Sequence, residues 1–191
     1  MKRLMTKLLI GLTLGALAQN AAPEPTASDL VHVHIRWTYD GVPEAMKIYE
    51  LKPGKWSVWK IGTVVDLKDA PVATEIPGSI LLMKKGQKKR FALVYKNTTD
   101  KTIYFFAAHH IVKPAEDTLG FNFLCLCTNH VYKVSPGQTW YRIVELRLAR
   151  DLDGNALDVL HQLIKVDAAR GERFKGGMHA QMDPSESEDH P

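Results

Sequence analysis

Strict alternation opens the patterned part of the chain. Val31, Val33, Ile35 and Trp37 fall on one side of residues 30–37, with His32, His34 and Arg36 on the other, the period of a half-buried β-strand. From 41 to 73 short extended pieces are broken by Pro43, Pro53-Gly54, Gly62 and Pro71, a stretch to which no function attaches. A regular series then begins at Ser79, with strands expected over 80–83, 88–96 and 102–112, separated by a basic turn and by the turn at 97–101. An apolar, aromatic run from Phe121 through Cys127 reads as the next strand, followed by 131–134, the turn at 135–138, and 140–149. Residues 158–166 carry both helical and strand spacing. The tight Asp153-Gly154-Asn155 turn before them tips the reading to a strand folded back on its predecessor.

Many short strands with turn residues between them and little helical periodicity predict an all-β fold, an immunoglobulin-like β-sandwich. The expected organisation is a signal peptide over 1–18, a flexible leader over 19–29 and an N-terminal β extension of unassigned role over 30–77. The sandwich itself follows over 78–169, then a disordered tail over 170–191. The tail is polar and carries Met178, His179, Met182 and His190. The signal peptide is read from Lys2, Arg3 and Lys7, the apolar stretch 8–17, and the small-x-small site Ala16-Leu17-Ala18. That stretch falls short of the roughly 20 residues a membrane-spanning helix needs, so cleavage is expected rather than anchoring. In a Gram-negative source the mature chain would be periplasmic.

Net charge is only +4, and no aromatic residues interleave with the basic run at Lys84-Lys85 and Lys88-Lys89-Arg90, which argues against nucleic acid as partner. The chain has no G-x-S-x-G elbow, no H-E-x-x-H and no phosphate loop, so a hydrolytic enzyme is not expected. Asn97-Thr98-Thr99 matches a glycosylation acceptor but sits where turn chemistry explains it.

The chemistry concentrates in Cys125 and Cys127, the only cysteines. In a strand, residues i and i+2 share a face, so both sulfurs would point the same way and form a soft ligand pair suited to Cu(I) or Zn(II). In an oxidising compartment cysteines usually staple distant segments, which a pair one residue apart cannot do, and this favours metal chemistry. Two other readings stand beside it. One is a thiol–disulfide redox protein, which would normally use Cys-x-x-Cys at a helix start; the other is a structural or interaction sandwich with buried cysteines. His109 and His110 end the 102–112 strand, where alternation lets at most one of them face the sulfurs, and His130 follows Cys127 by three residues. Each is a candidate additional ligand, as are the tail residues, while His32 and His34 make a same-face pair on the first strand.

The order of these features resembles the periplasmic domain of the CtaG family, copper-delivery assembly proteins of cytochrome c oxidase. The features are the basic strand from Lys88 to Tyr95, the turn at Asn97, Val112-Lys113-Pro114-Ala115, Gly120-Phe121-Asn122-Phe123 before Cys125-Leu126-Cys127, and Pro136-Gly137 beyond. The resemblance spans roughly residues 78–166. It implies an immunoglobulin-like domain that binds Cu(I) through Cys125 and Cys127 and passes it to a recipient cuproprotein, for this family a cytochrome c oxidase subunit. Apart from the resemblance, a homodimer bridged by copper is the other partner arrangement to be expected of such a thiol pair. Family members carry a membrane-anchoring helix and a further cysteine; the cleavable signal and absence of a third cysteine here point to a soluble relative.

Overall fold

The computed structural model describes residues 29–128 and 130–175; the expected signal peptide, nearly all of the leader and the tail from residue 176 lie outside the described residues. The first half of the fold comprises β1 (Leu30–Asp40), β2 (Met46–Leu51), β3 (Ile61–Val64), β4 (Val72–Glu75), β5 (Ile80–Lys84) and β6 (Lys88–Lys96). The second half comprises β7 (Ile103–Ala107), β8 (Ile111–Lys113), β9 (Phe121–Leu124), β10 (Tyr132–Val134), β11 (Thr139–Leu148), β12 (Ala156–Val166) and the helix α1 (Ala168–Phe174).

Alternating apolar positions can be buried only against a second layer, and the strands form two six-stranded sheets. One has the order β10-β7-β12-β1-β5, with β8 also paired to β12; the other has the order β3-β11-β6-β2-β4, with β9 also paired to β11. The core lies between them, where Val33 and Ile35 of β1 and Phe105 of β7 meet Phe91 and Leu93 of β6 and Trp140 and Val144 of β11. The expected all-β sandwich is the fold.

Residues 30–77, read from the sequence as an N-terminal extension, are built into both sheets. β1 lies between β5 and β12, β2 between β6 and β4, and β3 pairs with β11, so the sandwich begins at Leu30 and the boundary at 77/78 has no counterpart in the pairing. β12 is a strand, as expected, but not for the hairpin reason. The Asp153-Gly154-Asn155 turn carries the chain from one sheet to the other, and β12 pairs in parallel with β1, from His32↔Ala156 to Asp40↔Ile164.

Residues 170–174, expected to open the tail, are instead part of α1. Asp167 caps α1 by accepting from the Arg170 amide, and Gly171 is the residue that lets the helix lie against the Tyr104 ring, where a Cβ would collide. Glu172 accepts from the Tyr104 hydroxyl and from Lys133 Nζ, each at 2.5 Å. Among the described residues no helix is long and apolar enough to cross a membrane.

Candidate metal centre

The end of β9, the break before β8 and the interior of β12 supply four side chains to one point. β9 buries Phe121 and Phe123 and exposes Asn122, an alternation that ends at Leu124; the chain then bends, so Cys125 and Cys127 lie just past the strand rather than within it. The bend still brings the sulfurs together, with Sγ to Sγ 3.1 Å apart and both cysteines free. Cys125 is 3% exposed, while Cys127 is only partly buried.

The strand expected over 102–112 is broken between β7 and β8. Ala107 pairs with Leu163 and Ile111 with Leu160, so three residues on this edge face two on β12. One surplus residue reverses the parity of everything beyond it. Phe105 and Ala107 are core residues before the break and Val112 after it, and His110 turns inward while His109 and Ile111 are exposed. His110 Nδ1 lies 3.4 Å from Cys125 Sγ and 3.6 Å from Cys127 Sγ.

The fourth group is His161, on the core-facing row of β12 with Leu157, Val159 and Leu163. It is 0% exposed, and its ring lies among Trp37, His110 and Phe123, with centroids 4.9, 5.3 and 5.4 Å away. Neither ring nitrogen makes a hydrogen bond of ordinary length, although Cys127 and the Val159 backbone act on the ring. The ligand atoms of His110, Cys125, Cys127 and His161 all lie within 4.8 Å of one another.

The electrostatics are those of a closely coupled pair. The proton shared with Cys125 eases ionisation of Cys127, whose pKa is lowered, with His110 and His161 adding to the effect against the opposing burial. Cys125 is pushed up by the same hydrogen bond and by burial. While it keeps its proton, Cys127 donates to the Ala108 carbonyl at 3.2 Å. Burial pushes His161 below the usual imidazole value, which keeps it neutral and its lone pair free, and the Cys127 sulfur partly offsets that.

The histidines that the sequence offered as further ligands part ways in the fold. His110 joins the sulfurs, and His109 does not. His130 turns away, its Nδ1 3.2 Å from the Thr128 carbonyl and its ring stacked on Tyr132. His32 and His34 lie on the outer face of the other sheet, where His34 pairs with Asp158 at 3.3 Å. Met178, His179, Met182 and His190 lie outside the described residues. His161 was not singled out from the sequence, although its place in the row Leu157, Val159, Leu163 is a signal: a histidine where the strand period demands an apolar side chain.

Fold and site together define a class, a two-sheet β-sandwich with a Cys2His2 cluster whose sulfurs come from one sheet and imidazoles from the other. The chain belongs to the family described as Domain of unknown function (DUF8709), whose model matches residues 31–166 and so spans the sandwich from β1 to β12. No curated protein and no solved structure matches it.

Proposed function

We propose that the protein is an exported Cu(I)-binding chaperone that carries copper on Cys125 and Cys127 and delivers it to a cuproprotein, during cytochrome c oxidase assembly. The observation that carries the metal reading is His161. A neutral imidazole with both nitrogens buried and unpartnered costs about 1–3 kcal/mol per unsatisfied group, a cost that metal ligation at one nitrogen would offset in part. Its neighbours are two thiols and a second imidazole, a soft to borderline donor set.

Delivery needs a site that also lets go. Cu(I) is satisfied by few soft ligands, and Cys127 and His110, both partly exposed, offer a side from which an incoming ligand can displace the protein's own. Export is supported by the basic-apolar-small pattern of residues 1–18, and the oxidase as recipient by the likeness to the CtaG family around Cys125-Leu126-Cys127.

The four-donor set favours one second reading, a structural Zn(II) site, since tetrahedral S2N2 coordination is characteristic of zinc. Transfer separates the two. Cu(I)-loaded protein mixed anaerobically with the apo copper domain of an oxidase subunit is expected to lose its copper to that domain, and C125S/C127S to carry none across. Retention of the ion, or loading with zinc in preference to Cu(I), would contradict the chaperone reading.

A further inference from the structure

The inward row of β11 runs Trp140, Arg142, Val144, Leu146 and Leu148, and its one charged member stands out. Arg142 is 6% exposed. The carboxylate of its own strand, Glu145, is taken by Arg90 and Arg147 on the opposite face, and no carboxylate pairs with Arg142 among the described residues. A buried guanidinium without an anion is costly, so the question is which anion it faces.

Its surroundings answer. Arg142 donates to the Tyr132 hydroxyl, and that hydroxyl donates to the carbonyl of Leu126, the residue between the two cysteines, at 3.3 Å. The guanidinium stands 5.6 Å from the Tyr132 ring centroid and 4.7 Å from that of Trp59, which covers it from the solvent side and is itself 41% exposed. Trp59 is held there with φ of 73°, a left-handed conformation that non-glycine residues rarely adopt. Burial lowers the Arg142 pKa, and the acidic groups that oppose this in part are Tyr132, Cys125 and Cys127.

The charge count then discriminates between ions. Two thiolates with Cu(I) and neutral imidazoles leave a net −1, which one guanidinium neutralises; two thiolates with Zn(II) are already neutral, and the guanidinium is left uncompensated beside a dication. Resting on the metal reading above, we infer that Arg142 is a selectivity-determining residue that biases the dithiolate site toward monovalent over divalent metal.

The test is the ratio of Cu(I) to Zn(II) affinities, each measured anaerobically against a competing chelator, in wild type, Arg142→Met, Arg142→Lys and Trp59→Ala. Arg142→Met is expected to lower the ratio about tenfold or more, given unit charges in a partly buried setting. Arg142→Lys is expected to keep the ratio near wild type. Trp59→Ala, a change at a half-exposed side chain that admits water to the guanidinium, is expected to lower it severalfold and serves if Arg142→Met does not fold. A parallel fall in both affinities, or a ratio unmoved in every folded variant, would overturn the role of Arg142 while wild-type Cu(I) binding left the metal reading intact. Wild type that binds no Cu(I) through its cysteines would remove both.

Discussion

His110 Nδ1 and Cys125 Sγ lie 3.4 Å apart because the β7–β8 edge carries one residue more than β12 opposite. Without that surplus residue the alternation begun by Phe105 and Ala107 would continue inward through His109 and outward through His110. The adjacent histidines are therefore not equivalent. His109→Ala is expected to leave Cu(I) affinity unchanged, and His110→Ala to lower it by at least the roughly 10–100-fold that losing an outer-shell partner of a metal site costs. Equal effects in a competition titration would mean that the edge does not present His110 as described.

On the proposed metal reading, His161 makes opposite contributions with and without the ion. Its unpartnered nitrogens burden the apo fold, so His161→Leu is expected to leave apo stability unchanged or raise it by about 1 kcal/mol. The same substitution is expected to shrink the rise in Tm on Cu(I) loading, because stabilisation by a ligand scales with its affinity for the folded state. Thermal melts of both forms check this; a large loss of apo stability would show that the imidazole is satisfied by something other than metal.

Much of this architecture was legible in the chain because period-2 alternation is a local property. β1, β6 and β11 fall where the pattern put them. What the pattern could not carry was partnership. The stretch that forms β2–β4 is irregular in sequence, broken by Pro43, Pro53 and Pro71, and the membership of β1–β4 in the two sheets depends on residues far along the chain, as in the β1–β12 pairing of His32 with Ala156. The site divides in the same way. The cysteines and His110 were in view, but which histidine faces inward is decided by a one-residue surplus that shows only against β12. His161 and Arg142 were hidden for the opposite reason: each is a single polar residue in an apolar row, and its meaning comes from what the facing sheet brings to it.

The turn after β6 offers a test of the fold itself. Asn97 is fully buried; its Nδ2 donates to the Lys101 and Val134 carbonyls at 2.8 and 2.9 Å, and its Oδ1 accepts from the Thr99 amide and hydroxyl. Asn97→Ala leaves those groups unpaired and is expected to cost about 2–3 kcal/mol in denaturant unfolding. A loss below about 0.5 kcal/mol, the size of an ordinary surface change, would contradict the burial of this amide.

Acid should release the contact that seats α1. Lys133, Lys175 and Tyr104 hold the Glu172 carboxyl down to about 2. Because the folded value is depressed, the contribution is complete above the ordinary carboxylate pKa and is lost as pH falls toward about 2. The Tm of wild type is expected to exceed that of Glu172→Gln by a small, salt-sensitive margin at pH 7 and to converge with it near pH 2. A margin that is independent of pH would rule out the charged contact as its source.

Everything functional here rests on the two sulfurs 3.1 Å apart acting as one clamp for copper. An anaerobic Cu(I) titration of the wild-type chain and of C125S/C127S, with each shown to be folded, settles it: saturation at one Cu(I) per wild-type chain and loss of tight binding in the double variant is the expected outcome. Equal binding by both would contradict it.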